Sequence, residues 1–376
     1  MGTEGEGVGV DAIDGDGDGD GAVAPASDWV SRLRARIPTG RWRTLLVVGG
    51  LSAVVVVPML IAIGVLRDPR WFPLSDMAQI ELRVRDVGFD HPPLLGLGGR
   101  LQGYGTTGSH PGPLSFFMLA PVFRLLGADG TALLTSSIVV SLVAAGLAIW
   151  IGYRRGGWRF ALAVTVILGL LIRTYGAWRL AEAWNPNLPI VWWFVFLLAV
   201  WSVVCDDLPM LPVAAFAGSY CAQTHIPYVG LVIGLGGLTA VYLVVRWFRR
   251  WRGDAAAQRR LLVWGGGTAV LGALLWLPPV IEQINHHPGN IAIIIENFRN
   301  PYDKKVTFGD AFTFWAQRLD IRQLFSSTRD TSGLDPIGSK TAGLVCVGLW
   351  AVTAAVAVLR RRDPALVRLH LTVAAT

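Results

Sequence analysis

Lysine is almost absent. Of 33 basic residues only Lys304, Lys305 and Lys340 are lysine, so the formal net charge of +7 is carried by arginine. Most of that arginine stands beside apolar runs, which is a membrane-topology signal and argues against a nucleic-acid-binding basic face. Cysteine is scarce as well. Cys205, Cys221 and Cys346 show no CxxC or Cys/His spacing, which excludes a disulfide framework and a zinc site. A Walker A loop, a dinucleotide fingerprint, GxSxG and HExxH are all missing, so nucleotide-driven chemistry is disfavoured. Only 16% of residues are charged whereas 53% are apolar. With a mean hydropathy of +0.49, that balance belongs to polytopic membrane proteins.

The apolar runs predict an all-α polytopic membrane protein with about 8 transmembrane helices, since a spanning segment must satisfy its own backbone hydrogen bonds. They lie at about 44–66, 131–152, 160–175, 189–204, 209–224, 228–245, 261–281 and 341–359. Residues 1–28 are rich in Gly, Asp and Ala and predict a disordered tail ahead of a transmembrane domain over 29–376. The DGDGDGDG tract lacks the glutamate that would close a calcium loop. The segment Leu114–Gly127 is short, contains Pro121 and carries Arg124. Reading it as an amphipathic or re-entrant surface helix puts the N-terminal arginines, Arg154/Arg155/Arg159, the cluster from Arg246 to Arg260, and Arg360–Arg362 on one side, the cytoplasmic one.

That parity leaves outer loops at 67–130, 174–188, 222–228 and 282–340. In the last of these Phe308–Phe325 is apolar at helical spacing and is expected to pack over span ends. The pair Asp206-Asp207 breaks the basic pattern of the inner turns and is read as a solvated turn. The tail Arg360–Thr376 turns apolar again and stops, which suggests a partial span or a fragment.

The first outer loop gathers carboxylates, His-Pro turns and a glycine-rich patch. Ser75 or Asp76 is placed to cap a short helix in FPLSDMAQIEL, on which Asp76 and Glu81, five apart, act separately. Converging on the same side are His110, Glu182, Asn185, Asn187, Gln223 and His225. AEAWNPNLP and CAQTHIPYV embed such groups in apolar sequence, where they are costly without a partner. Purely structural roles for Asp76, Glu182 and His225 are the competing readings. Trp71, Trp178, Trp184, Trp192 and Trp193 read chiefly as an interfacial belt.

A reaction outside the cell without nucleotides needs a donor activated by its own membrane carrier. A polyprenyl-phosphate sugar fits, because the protein then supplies mainly a base for the acceptor hydroxyl and cations for the departing phosphate. Asp76 suits the first task, and Arg83, Arg85, Arg100, Arg173 or Arg179 the second.

The order of first span, LSDMAQIE, then HPGPLSFFMLAPVFRLLG leading to the second span resembles the GT-C superfamily of integral-membrane glycosyltransferases, in particular its protein mannosyltransferase and aminoarabinose-transferase branch. The resemblance implies that Asp76 is the catalytic carboxylate and that His110–Gly127 forms a surface helix. It further implies a second acidic position near Glu182–Asn187 and a long outer loop matching Glu282–Lys340. Met77 stands where many members have an acidic residue, and WNPN where Asp-Pro is common, which leaves use of a divalent metal open. The implied donor is a polyprenyl-phosphate sugar and the implied acceptor a cell-envelope glycan, lipid or protein. Arginine-rich composition points to a GC-rich bacterial gene and so to a bacterial plasma membrane. The alternatives are a transporter or flippase of lipid-linked envelope precursors, and a non-catalytic scaffold.

Overall fold

A computed structural model describes residues 40–65, 71–301, 306–325, 338–360 and 363–376. The acidic tail at 1–28, the arginines at 32, 34 and 36, and Lys304 and Lys305 lie outside these residues. The chain divides into two units, Met1–Leu45 and Leu46–Thr376. Apart from the first turn of the helix at Arg41–Val65, the features below belong to the second.

Thirteen α-helices stand among the described residues. Helix α1 is Arg41–Val65, α2 Asp76–Asp86, α3 Leu114–Leu125 and α4 Gly130–Tyr175. Then follow α5 Ala177–Ala181, α6 Pro189–Val204, α7 Leu211–Thr224, α8 Pro227–Arg246 and α9 Ala255–Asn285. The series closes with α10 Asn290–Arg299, α11 Phe308–Arg318, α12 Lys340–Arg360 and α13 Pro364–Ala374. Among the described residues five helical stretches are long and apolar enough to cross a membrane: Trp42–Val65, Gly130–Tyr175, Pro227–Trp251, Ala255–Asn285 and Lys340–Arg360.

Helix α4 has 46 residues, which as one straight rod would measure roughly 70 Å, more than twice a bilayer core. Gly156 and Gly157 leave helical geometry, and Gly157 has φ +65°, a conformation open to glycine at little cost. A Cβ on Gly152 would lie 3.4 Å from Ala161 Cα and 2.9 Å from a Val164 methyl. The chain therefore doubles back there, and the stretch is two packed arms.

The purely helical expectation is corrected between α2 and α3. Strand β1, Gly98–Gly103, pairs antiparallel with β2, Thr106–Ser109. Tyr104 and Gly105, both at positive φ (54° and 76°), make the type of tight turn whose twist suits a hairpin. The glycines also admit a neighbour: Gly103 and Gly108 back onto Ile293 of α10. From the same helix Asn290 exchanges two hydrogen bonds with the Ser109 backbone (2.8 and 3.0 Å), and Asn297 accepts from Gln102 N–H. Helix α10 thus clamps the hairpin.

Helix α3 is 12 residues long, too short to cross, and buries Phe116, Leu119 and Phe123 in the core with Ile80 and Val84 of α2. The centre of that core is built by α4, α6 and α7, with Leu133, Ile149, Val195, Val203, Ala217 and Tyr220 fully buried. Gly218 fits against the Phe196 ring, where a Cβ would come within 2.9 Å.

Asp206 and Asp207 are not a solvated turn, contrary to the sequence reading. Asp207 takes a two-pronged contact from Arg154 (2.8 Å for each bond), and Asp206 pairs with Arg246, accepts from the Tyr242 hydroxyl at 3.0 Å and lies 3.6 Å from Arg368. Each carboxylate ties the turn after α6 to another element. The apolar tail is helix α13, held to α6 by Trp201 Nε1 donating to Ala365 O at 2.9 Å.

Candidate active site

Helix α2 begins abruptly. Ser75 has φ 51° and offers no side-chain cap, so neither capping role foreseen for this segment describes it. Asp76 is the first helical residue, where a carboxylate is favoured by the aligned peptide dipoles. It lies one turn before the fully buried Ile80, which aims it toward the core side. Its Oδ2 accepts a 2.8 Å hydrogen bond from Trp184 Nε1. Trp184 is therefore more than an interfacial anchor.

The loop between α5 and α6 holds that indole in place. Its backbone turns tightly, with Asn187 and Leu188 N–H groups both bonded to Trp184 O (2.9 and 3.0 Å). Ser137 of α4 donates to the carbonyls of Leu180 and Glu182. Asn187 Nδ2 donates to Glu182 Oε2 at 3.0 Å. Burial pushes the Glu182 carboxyl above its usual range, against the opposing pull of Arg179 and of hydrogen bonds from Trp178 and Asn187.

His110 enters from the end of the hairpin, whose backbone fixes it through bonds between His110 and Leu97 (2.8 Å) and Gly96 (3.0 Å). A Cβ on Gly96 would collide with His110 Cβ at 2.8 Å, so glycine is required there. Burial first, then His225, pull the His110 imidazole down to about 4, while Asp76 pulls the other way. The ring is neutral near pH 7, and Nδ1 accepts from Ile226 N–H at 3.2 Å. Its proton then resides on Nε2, making His110 a hydrogen-bond donor into the site. The His225 ring lies 5.2 Å from it. Burial lowers the His225 pKa too, and its Nδ1 is buried without a hydrogen-bond partner among the described residues.

Gln223 explains the join between α7 and α9. Pro279 has no N–H to offer the Leu275 carbonyl four residues back, and Gln223 Nε2 bonds that carbonyl at 2.8 Å. Gln223 Oε1, Asn185 Oδ1 and Thr224 Oγ1 are buried and have no protein partner among the described residues. A Cβ at Gly112 would overlap the Gln223 amide, so the glycine after His110-Pro111 allows the hairpin to seat on α7.

The structure joins Asp76 to Trp184, His110 to His225 and Glu182 to Asn187, with Gln223 packed beside the His110 turn. It does not bring Glu81 to them. Glu81 is paired with Arg85, whose Nη2 also reaches Ala128 O at 2.6 Å. Arg83, Arg100 and Arg173 are exposed, whereas Arg179 lies beside Glu182. Sequence reasoning overlooked Thr224 and the hairpin clamp of Asn290. No three His, Cys, Asp or Glu side chains gather as a ready metal cluster among the described residues. A cavity of about 490 Å³ is lined by Trp71, Phe72, Asp129 and Thr135 rather than by Asp76 or His110. It lies against the segment leading into α2, and the polar cluster is the better guide to chemistry because cavity size alone supplies no reacting group.

No protein-family model, curated protein or solved structure matches the chain. The side chains alone carry its functional reading.

Proposed function

We propose that this chain is a multi-pass membrane glycosyltransferase of the GT-C kind, moving a sugar from a polyprenyl-phosphate donor to a cell-envelope acceptor. The observation that carries the proposal is the Asp76 carboxylate held through one oxygen by the Trp184 indole, with a neutral, donor-poised His110 in its electrostatic range. Asp76 Oδ1 has no hydrogen-bond partner among the described residues, so it is the atom that takes the acceptor hydroxyl proton. The acceptor oxygen then forms the new bond to the anomeric carbon. The bond from that carbon to the carrier phosphate oxygen breaks, and polyprenyl phosphate leaves with the electron pair. The His110 Nε2–H steadies developing negative charge, and Arg179, with the exposed Arg83 at the rim, attracts the phosphate.

Eight crossings accommodate the chain if the two arms of α4 and the shorter α6 and α7 each traverse with α1, α8, α9 and α12. The N-terminus and the Asp206–Arg246 end then face the cytoplasm, and Asp76, His110 and Glu182 face the outside. In support, Asn187 and Asp206 flank opposite ends of α6, about 24 Å apart along its 16 residues. The transporter reading calls for polar groups and broken helices near mid-membrane, whereas Asp76 and His225 sit at helix ends and His110 follows the hairpin. Purified protein in lipid nanodiscs, given labelled polyprenyl-phosphate sugars and envelope acceptors, is expected to release polyprenyl phosphate and label the acceptor. Movement of intact lipid-linked sugar across vesicles without transfer would favour a flippase instead. Cysteines placed at the exposed Thr107 and Gly253 should label from outside and inside respectively, and the reverse would overturn the topology.

A further inference from the structure

At the far end of the bundle from Asp76, helices α6, α8 and α13 enclose a cavity of about 230 Å³. Its walls are apolar, with Val200, Leu235 and Leu371 among them, and its polar contributors include Tyr242 and Arg368. The cavity opens sideways rather than to the bundle axis, since Leu238 and Leu371 on its rim remain 57% and 62% exposed. In a membrane-embedded bundle that flank faces lipid.

The charges at its mouth do not balance. Asp206 is the one carboxylate facing both Arg246 and Arg368, while its neighbour Asp207 is occupied by Arg154. Arg155 and Arg368 both lie beside Cys205, and Arg155 Nε is buried with no hydrogen-bond partner among the described residues. Arg246 and Arg368 thus share a single anion, with Arg155 stacked on the Trp201 ring nearby, next to an apolar slot sized for part of one hydrocarbon chain.

We propose that this slot is a binding site for an anionic membrane phospholipid, with one acyl chain between α6, α8 and α13 and its phosphate on Arg368. A guanidinium at a membrane surface favours a lipid phosphate by about 1 kcal/mol, and Asp206 would hold Arg246 and the Tyr242 hydroxyl as a fixed backstop. The site pins α13 against α6 in addition to the Trp201–Ala365 bond. It is independent of sugar transfer and stands or falls separately from it.

The test is lipid retention by the full chain, delipidated stepwise in detergent and read by native mass spectrometry after exposure to mixed phosphatidylglycerol and phosphatidylcholine. Phosphatidylglycerol should be retained preferentially, and Arg368→Gln should lower that preference about fivefold, the equivalent of one surface charge. Leu235→Trp, which fills the slot, should reduce retention with every charge intact. Arg259→Gln, altering an exposed arginine on α9, should change neither. Equal retention of the two lipids, an unchanged preference in Arg368→Gln, or displacement of the lipid by millimolar inorganic phosphate alone would each overturn the proposal. Far-ultraviolet circular dichroism of each variant separates loss of the site from loss of the fold.

Discussion

Replacing Gln223 by Leu should destabilise the helical bundle through one backbone carbonyl. Pro279 leaves Leu275 O without its helical donor, and the Gln223 amide fills the vacancy at 2.8 Å from a fully buried position. In a low-dielectric interior the stranded carbonyl costs about 1–3 kcal/mol. The loss is partly offset because Gln223 Oε1, itself without a partner, disappears in the same change, so a net loss of about 1–2 kcal/mol is expected. The cause is isolated by repeating the change in Pro279→Ala, where an N–H returns to the helix and can serve Leu275 O. There Gln223→Leu should cost about 1 kcal/mol less. The assay is equilibrium unfolding of all four proteins in mixed micelles, followed by circular dichroism. Equal costs in the two backgrounds would refute the claim that glutamine and proline are coupled through that carbonyl.

Stability should also depend on His110 in mild acid. Its folded pKa of about 4 lies below the ordinary 6.5, so the contribution is present above pH 6.5 and is lost as pH falls toward 4. The full difference is about 3 kcal/mol. His110→Gln should flatten that part of the pH–stability curve, and an unchanged curve would contradict burial of a neutral ring. Trp184→Phe removes the single donor to Asp76 while keeping an aromatic body, and should slow sugar transfer about tenfold or more with unfolding midpoints near wild type; an unaltered rate would make the indole bond incidental. Asp206→Asn leaves Arg246 and Arg368 facing a neutral amide and should cost about 2 kcal/mol in the same unfolding assay, whereas a solvated turn would give no measurable change.

Much of the architecture was legible because it follows from periodicity and length. The apolar runs became helices, the run at Leu114 was too short to cross, and the helix from Asp76 appears where FPLSDMAQIEL predicted one. The hairpin at 98–109 was not legible, because its glycines carry little side-chain pattern; their purpose is visible only once α10 lies against them. Arg154, Arg246 and Arg368 are 53, 40 and 162 residues from their aspartate partners, and nothing local in Cys205-Asp206-Asp207 announces such pairing. Within the candidate site, AEAWNPNLP and CAQTHIPYV set Glu182, Asn187, Gln223 and His225 in apolar sequence, and the fold buries or half-buries all four. Glu81 instead is paired with Arg85 one turn later, a contact that i,i+4 spacing on a helix allows. Trp184 was visible as an aromatic, but its indole N–H matters here, and only the fold shows where that points. The Pro279 gap and Gln223 were both in the sequence, and what was missing was the register of α7 against α9.

The most direct measurement is single-turnover transfer from a labelled polyprenyl-phosphate sugar by purified wild type, Asp76→Asn and Glu81→Gln. Asp76→Asn should lose about 10²–10⁴-fold in rate, while Glu81→Gln, altering a carboxylate engaged by Arg85, should stay within a few-fold of wild type. Undiminished transfer by Asp76→Asn would contradict the assignment of the base.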